Sequence, residues 1–500
     1  MNIFEPDLNL FKKNYESGID QVLYAPYSAD VHTPVSVLIK LDEEKYLFLF
    51  ESVEKGSQKG RYSVIGLNPD IIWECENNFC KTTNLNQKKN NVTKETIDPL
   101  LSLKNLINKN KIKTPKSIPS IATGLFGYLG YEMIKYFENL NLSKKDSLKL
   151  PESIFVRPSS TLVFDNINDK LYVTKIVSPS ELNSTQSFKK AENDISAIIK
   201  KINKPLSKSN LKTYSFKKKI DVFHNVESNT TFKEFKRMVN KAKKYIFEGE
   251  IFQVVLSRIF KKKINVQPLS IYRALRHLNP SPYLFFMNFN DFTIIGSSPE
   301  ILIKLQSDKV TIRPIAGTRK RGNTKEEDKK LKNELINDPK EISEHLMLLD
   351  LGRNDISRVS IPGSVKVTDK MYIEYFSHVM HIVSNIDAKL DKNNDSTDVL
   401  FSGFPAGTVT GAPKIRAIEI IEELEKSRRN IYAGSVGYIS SNGNIDTCIA
   451  LRSALIKNNN IYIQSGAGIV ADSKPLNEFK ETENKALALL TACAHASNFK

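Results

Sequence analysis

Runs of alternating apolar and polar residues divide the chain into three zones. The first, 20–178, contains several short strand-like runs, namely Val35–Ile39, Tyr46–Phe50 and Ser160–Phe164. The second, 179–227, is rich in Ser, Lys and Asn around one amphipathic stretch, which is typical of a variable linker or insertion. The third, 228–494, has the densest pattern, and we expect it to form a domain of its own.

A strong helix signal opens the third zone. Thr231 can cap the helix, Glu234 follows three residues later, and apolar residues then recur on one face until Gly249. A strand is predicted over Ile251–Ile264, and further helices over Lys340–Leu351, Ile415–Leu424 and the residues after Pro475. Because strands and helices mix without a regular βαβ period, the pattern predicts an α+β fold with large, mostly antiparallel sheets.

Composition narrows the class of protein. Hydrophobic residues make up 40% of the 500 residues, which is enough for a buried core and excludes a wholly disordered chain. No run approaches the ~18 apolar residues that a membrane helix needs, and the start shows no secretory signal. The four cysteines lack the spacing of zinc ligands. We therefore expect a cytoplasmic protein without a membrane anchor.

The net charge of +17 leaves two interpretations open. An anionic partner such as nucleic acid would account for it. Alternatively, the excess lysines are spread over solvated loops and affect only solubility and non-specific binding. The second interpretation is favoured, because the Lys/Asn-rich runs contain few of the aromatic residues that stack on bases.

Two pairs of glutamates are candidates for metal binding. Glu341 and Glu344 are three residues apart on one predicted helix, and Glu478 and Glu481 repeat this spacing on another. Mg²⁺ prefers a few carboxylates together with water and an anionic substrate. Most such pairs instead lie on solvated helix faces, so the spacing alone leaves both interpretations open.

Three glycine-rich segments could bind an anion through backbone N–H groups. They are Arg313–Arg319, Gly403–Lys414 and Gln464–Gly468, and each could instead be an ordinary tight turn. Three single residues are further candidates. Arg452, in a strand-like run over Cys448–Ile456, needs an anionic partner if it is buried. His381 and Glu300 are possible proton-transfer groups, although a core histidine and a helix or turn cap are equally ordinary roles.

Taken together, these segments resemble the chorismate-utilising enzymes, and among them most closely the large components of anthranilate synthases. The resemblance rests on an ordered series of motifs over nearly all of 228–490, with weaker matches in the first zone. The main motifs are Gly249–Val255, Asn279–Tyr283, Gly296–Glu300, Pro314–Thr318, Glu344–Asp355, His378–His381, Gly407–Lys414, Asp446–Arg452, Gln464–Gly468 and Glu478–Glu481, and the weaker ones are Leu49–Ser52, Gly60–Gly66 and Gly127–Glu132.

Two positions point to the anthranilate-forming branch of this family. Family members that add water to chorismate typically carry a lysine where this chain has Gln253, and a lysine of lowered pKa can activate water. Relatives that make aminodeoxychorismate usually carry a nucleophilic lysine where this chain has Ala316. The resemblance therefore implies direct attack of ammonia on chorismate, giving anthranilate and pyruvate as the first committed step of tryptophan biosynthesis.

The resemblance also implies a fold and a set of roles. The fold would be a sandwich of large orthogonal antiparallel sheets flanked by helices, with two intertwined subdomains around a central cleft. Zone 228–494 would be the chorismate-binding catalytic domain, and 20–178 would hold the tryptophan-binding part. The implied catalytic residues are Glu300, His381 and Thr408. The implied substrate-binding residues are Gly317, Thr318, Tyr432, Arg452, Gly466, Ala467 and Gly468.

The same resemblance implies a cofactor, an inhibitor and a partner. Mg²⁺ would be held by Glu344 and Glu481, with Glu341 and Glu478 in support. Tryptophan would bind as a feedback inhibitor at Ser52, Pro282, Tyr283 and Leu284. None of the four cysteines has the sequence context of a glutaminase nucleophile, so ammonia would come from a separate glutamine amidotransferase subunit, in a heterotetramer.

Overall fold

The computed structural model describes residues 4–42, 44–54, 58–85, 91–207, 220–376 and 379–499. Helices flank a large antiparallel sheet network, so the predicted α+β class is confirmed. The helices in the described ranges are α1 Leu8–Glu16, α2 Pro34–Lys40, α3 Pro99–Lys109, α4 Ser184–Ile202, α5 Phe232–Phe247, α6 Pro268–Leu278, α7 Lys325–Ile336, α8 Pro339–Ser357, α9 Ser396–Ser402, α10 Gly407–Thr410, α11 Lys414–Leu424 and α12 Pro475–His495.

The strands come mostly in antiparallel hairpins and meanders. They are β1 Gln21–Ser28, β2 Phe48–Glu51, β3 Val53–Glu54, β4 Gln58–Lys59, β5 Tyr62–Glu76, β6 Phe79–Asn84, β7 Asn91–Glu95, β8 Gly124–Leu129, β9 Ser153–Asp165, β10 Lys170–Val177, β11 Val226–Ser228, β12 Gln253–Lys263, β13 Tyr283–Asn288, β14 Thr293–Ser298, β15 Ile301–Gln306, β16 Lys309–Ile312, β17 Ile315–Lys320, β18 Lys366–Tyr375, β19 Val379–Lys389, β20 Gly411–Ala412, β21 Ser435–Ser440, β22 Ile445–Ile449, β23 Ser453–Lys457 and β24 Asn460–Ile469.

Strands from the two halves of the chain pair directly with one another. Strand β2 pairs with β13, placing Phe50 opposite Phe285, and β8 pairs with β21, placing Leu125 opposite Ile439. These ladders interleave the first zone with the third, so the predicted intertwining of two subdomains is confirmed.

The buried core also combines residues from both halves. One cluster joins Trp73 and Leu103 to Phe235 and Ile418, and a second joins Leu49 to Tyr272 and other buried residues. Helix α4 lies within the predicted 179–227 segment and contributes Phe188 and other residues to the second cluster, while 208–219 lie outside the described residues.

Most of the predicted helices and strands are present, but the first strand-like run is not a strand. Val35–Ile39 was expected as a strand and lies inside helix α2, because Thr33 caps the helix and Pro34 occupies its first position. Ser160–Phe164 falls within β9, and Tyr46–Phe50 overlaps β2, which begins at Phe48.

The helix predicted at the start of the third zone is confirmed in detail. It runs as α5, with Thr231 and Glu234 forming the reciprocal capping box. None of the helices in the described ranges combines the length and apolar character that crossing a bilayer requires.

Candidate active site

The floor of the site is the ladder between β12 and β24. The glycine-rich segment Gln464–Gly468 was expected as a turn, and this is wrong: it continues β24, with Gly466 opposite Ser257 and Gly468 opposite Val255. A Cβ atom on Gly468 would lie 2.5 Å from Nε2 of Gln253, and one on Gly466 would lie 2.8 Å from the Tyr432 hydroxyl. Glycine is needed here to leave room for neighbouring side chains.

The opposite edge of β24 is available to a ligand. Strand β23 pairs with β24 only as far as Ile463, and no other strand of the described residues covers that edge beyond it. Alternate N–H groups of Gly466–Gly468 can therefore donate to a bound anion. Ala467 lies between these two glycines, and its side chain is buried in the core.

A second wall is formed by β17 and β19. The Arg313–Arg319 segment was also expected as a turn, but Ile315–Lys320 is a strand with a bulge between Ala316 and Thr318, and Gly317 has a φ of +70°. The bulge brings Gly317 and Thr318 against His381. Nδ1 of His381 lies 3.0 Å from the Thr318 hydroxyl and 3.1 Å from the Gly317 carbonyl oxygen.

His381 is a neutral imidazole at physiological pH. Burial, together with the charge of Arg452, lowers its pKa to about 4. At pH 7 the imidazole is uncharged and can accept a proton. His378, the first residue of the same motif, lies outside the described residues.

Glu300 lies between β14 and β15 and is buried. Burial raises the pKa of its carboxyl to about 8, although the Thr408 hydroxyl, the Ile315 N–H and the charge of Arg452 all favour the ionised form. Thr408, in α10, directs its buried hydroxyl toward this carboxyl without a hydrogen bond of good geometry. Glu300 is therefore mostly protonated at neutral pH, which is the state of a general acid.

Arg452 lies in the connection between β22 and β23, with a φ of +45°. The uninterrupted strand expected over Cys448–Ile456 is thus wrong, because the backbone turns before Ser453. Burial lowers the pKa of the guanidinium, and it forms neither a salt bridge nor a side-chain hydrogen bond with the described residues. A largely buried guanidinium without an ionic partner can pair with a bound anion.

The Tyr432 hydroxyl lies beside Gly466, at the open edge of β24. Burial raises the pKa of Tyr432, and the Gly466 backbone forms a hydrogen bond with its phenol oxygen. Tyr432 and the open edge of β24 thus present hydrogen-bond donors beside one another.

The four candidate metal-binding glutamates lie on two facing helices. Burial, followed by the negative charges of Glu341 and Glu481, raises the pKa of Glu344, so α8 and α12 bring their carboxylates together. Burial raises the pKa of Glu478, which also lies near the charge of Glu481. Like charges gathered at a cleft are stabilised by a hard divalent cation, and their oxygen donors suit Mg²⁺.

Two of these carboxylates are neutralised by side chains of the protein. Arg319 donates to Glu341 at 2.8 Å, and Lys485 lies 2.8 Å from Glu481. Among the described residues, no group of three or more His, Cys, Asp or Glu side chains is already arranged around a metal-sized point. The oxygen donors of the four glutamates therefore suit Mg²⁺. Arg319 and Lys485 would have to move away from Glu341 and Glu481 when the ion binds.

Lys485 is a site residue that the sequence did not single out. Its Nζ donates to the Gly466 carbonyl oxygen at 3.0 Å, and its charge also acts on Glu300 and Glu344. In the sequence it forms an i, i+4 pair with Glu481, which is typical of an ordinary solvated helix face. Only the packing of α12 against β24 shows that this pair faces the cleft.

A separate cavity of about 780 Å³ lies where β2, β13, β15 and β21 meet. Three of the four candidate inhibitor-binding residues, Ser52, Pro282 and Tyr283, line it, whereas Leu284 does not and is buried in the core. The Tyr283 hydroxyl donates to Asp446 at 2.7 Å. The cavity is thus lined by residues from both halves of the chain.

Comparisons with known proteins identify the family of the chain. A family model described as chorismate binding enzyme matches residues 48–491. The chain is 44% identical over 492 residues to anthranilate synthase component 1 of Cereibacter sphaeroides, covering 98% of this chain and 97% of that protein. It is 43% identical over 473 residues to the protein of the same name from Aquifex aeolicus, with 94% of each chain covered.

Solved structures show the same fold. The crystal structure of anthranilate synthase component I from Streptococcus pneumoniae matches with a TM-score of 0.75 and 36% identity, over 86% of this chain and 92% of that one. The menaquinone-specific isochorismate synthase of Escherichia coli matches with a TM-score of 0.71 at 20% identity, which shows the fold alone. The chain therefore belongs to the chorismate-binding enzyme family and, within it, to the anthranilate synthase component 1 proteins.

Proposed function

We propose that this protein converts chorismate and ammonia into anthranilate and pyruvate, the first committed step of tryptophan biosynthesis. The observation that carries the proposal is the juxtaposition of an unpartnered guanidinium, Arg452, with the protonated carboxyl of Glu300 and the open edge of β24. This arrangement suits a small dianion that must lose a hydroxyl group. Full-length similarity to anthranilate synthase component 1 proteins selects chorismate as that dianion.

The enolpyruvyl carboxylate would bind at Arg452. A guanidinium offers two parallel N–H donors to a carboxylate, and the Tyr432 hydroxyl and the Gly466–Gly468 backbone can complete its hydrogen bonds. The ring carboxylate would lie toward Gly317 and Thr318, on the side of the facing glutamates. Two anchors at opposite ends of the ring would fix which carbon faces the ammonia.

The raised pKa of Glu300 and the lowered pKa of His381 suit these two groups to proton transfer. Ammonia forms a bond to C2 while the C4–O bond breaks, and Glu300 gives its proton to the departing hydroxyl, which leaves as water. In the second step the C–O bond between the ring and the enolpyruvyl group breaks, and C2 loses a proton as the ring becomes aromatic. The departing enolpyruvate takes up a proton and becomes pyruvate. The neutral imidazole of His381 would assist this step.

Two positions in the chain support ammonia as the nucleophile. Gln253 is buried beside Gly468, and its amide, unlike a lysine of lowered pKa, cannot activate water. Ala316 offers no nucleophile of its own, and it lies next to Gly317. Ammonia carries its own lone pair, so it needs neither a base to activate it nor a nucleophilic side chain.

Mg²⁺ would be held by Glu344 and Glu481, with Glu341 and Glu478 in support. When bound, the ion would supply positive charge to the ring carboxylate as electrons move through the ring. The protein contributes the facing carboxylates. Without the ion, Arg319 neutralises Glu341 and Lys485 neutralises Glu481.

A separate glutamine amidotransferase would supply ammonia, in a heterotetramer. Burial raises the pKa of the Cys448 thiol and raises that of Cys493 to about 12, and Cys75 and Cys80 are wholly buried in the core. None of the four cysteines therefore suits a glutaminase nucleophile. Tryptophan would inhibit from the cavity lined by Ser52, Pro282 and Tyr283.

Product analysis tests the proposal. The purified chain, given chorismate, ammonium and Mg²⁺, is expected to form anthranilate and pyruvate in equal amounts, and tryptophan is expected to suppress both. Glutamine is expected to replace ammonium only when the partner subunit is added. Accumulation of 4-amino-4-deoxychorismate or isochorismate instead would overturn the proposed reaction.

A further inference from the structure

The short segment Gly130–Glu132 contacts the loop that carries Tyr432, although about 300 residues separate them in sequence. The Tyr131 N–H donates to the Asn430 carbonyl oxygen at 2.6 Å. Oε1 of Glu132 accepts the N–H groups of Arg429 at 2.8 Å and of Asn430 at 3.3 Å. One carboxylate therefore satisfies two consecutive backbone donors just before Tyr432.

The two backbones approach too closely for side chains to lie between them. A Cβ atom on Gly434 would lie 2.2 Å from the Leu129 carbonyl oxygen, and one on Gly130 would lie 3.0 Å from the Asn430 carbonyl oxygen. Glycine at both positions permits this contact. The position of the loop is thus set by the first half of the chain.

Arg429 extends the contact to Tyr432 itself. Its guanidinium lies 4.8 Å from the ring centre of Tyr131 and 5.5 Å from that of Tyr432, and it forms a buried ion pair with Glu425 at 2.6 Å. The same group donates to the carbonyl oxygen of Val409, in α10 beside Thr408. The orientation of Tyr432 is therefore tied to that of the Glu132 carboxylate through Arg429.

Backbone strain on both sides of Tyr432 shows that the loop needs this support. Asn430 has a φ of +52° and Ala433 a φ of +63°, which is the left-handed region that residues with a Cβ atom rarely adopt. Such conformations persist only where surrounding contacts hold them. Among the described residues, the Glu132 hydrogen bonds are the side-chain contacts made to the backbone of Arg429 and Asn430.

We propose that Glu132 is a positioning residue, which holds the 429–433 loop so that the Tyr432 hydroxyl faces Gly466 and the carboxylate of the substrate. The proposal rests on the proposed function, in that it takes the ligand of Tyr432 to be the enolpyruvyl carboxylate of chorismate. It assigns a role in substrate binding to the first half of the chain.

Steady-state kinetics of Glu132 variants provide the test. Glu132→Asp, which is too short to reach both N–H groups, is expected to raise KM for chorismate about tenfold while changing kcat less than about threefold. Glu132→Gln keeps an acceptor oxygen and is expected to stay within about threefold of wild type in KM. Glu138→Ala is the matched control, because Glu138 lies nearby but pairs with Arg358 at the surface.

A double-mutant cycle separates positioning from general destabilisation. Tyr432→Phe is expected to raise KM on its own, and adding Glu132→Asp is expected to raise it little further, because both changes remove the same contact. Multiplicative effects on KM, or a Glu132→Asp protein with unchanged KM, would overturn the proposal.

Hydrogen exchange of the free protein tests the geometry without any substrate. Amides of 429–433 are expected to exchange faster in Glu132→Asp than in wild type or Glu138→Ala, with the remainder of the chain unchanged. If wild type formed no anthranilate, the proposed function would fail, and this exchange difference would still decide whether Glu132 holds the loop. Equal exchange in all three proteins would refute it.

Discussion

Replacing Glu300 with glutamine is expected to lower kcat about 10²- to 10⁴-fold, because an amide has no acidic proton for the departing hydroxyl group. The loss corresponds to about 3 to 5 kcal/mol of transition-state stabilisation, at about 1.36 kcal/mol for each factor of ten. The side chain keeps its size, so the cleft keeps its shape. Anthranilate fluorescence at saturating chorismate measures the change.

The magnitude follows from the burial of Glu300. With its pKa raised from 4.5 to about 8, about nine-tenths of the carboxyl is protonated at pH 7. An ordinary glutamate would be protonated to well under about 1% at that pH. The fold therefore increases the population of the acid form by a factor of about 300.

The pH profile provides an independent check. Wild-type activity is expected to fall as pH rises through about 8, where Glu300 ionises, and Glu300→Gln is expected to lack this descending limb. The assay must hold the free-base ammonia concentration constant, because that concentration itself rises with pH. Glu419→Gln, which alters an exposed glutamate paired with Arg416, is the control and is expected to retain the limb.

The Glu300→Gln substitution is expected to lower activity but to raise stability at high pH. Because the folded pKa of Glu300 is raised, its protonation stabilises the fold fully below about pH 4.5, and this contribution is lost as pH rises through about 8. Glu300→Gln is therefore expected to unfold at a higher temperature than wild type at pH 9. A variant that keeps its rate within tenfold of wild type, or that keeps the descending limb, would refute the general-acid role.

Three further changes test other parts of the structure. Arg452→Lys replaces a bidentate donor with a point charge and is expected to raise KM for chorismate at least about tenfold in steady-state kinetics. Glu344→Gln is expected to raise the Mg²⁺ concentration needed for half-maximal activity at least about tenfold, as measured by titration after chelation. Asp70→Ala leaves Arg157 buried without an ionic partner, and is expected to cost about 3–5 kcal/mol in denaturant unfolding.

Local signals in the sequence were sufficient where the structure depends on neighbouring residues. The capping box of Thr231 and Glu234 predicted the start of α5, and the glutamate spacing placed both carboxylate pairs on helices. Val35–Ile39 misled because its β-branched residues suggest a strand, while the cap at Thr33 and packing against the sheet favour a helix.

The sequence by itself determined the family, the order of the motifs and the identity of most candidate site residues, because these depend on residue type and spacing. Tertiary structure decided what those residues can do. Glu300 is an acid at neutral pH because the fold removes it from water, and Arg452 is open to an anion because no described residue pairs with it. The glycines of β24 serve close packing and not a turn, and Lys485 faces the cleft rather than solvent alone. Desolvation and contacts between distant segments produce these properties, and neither can be read from local sequence.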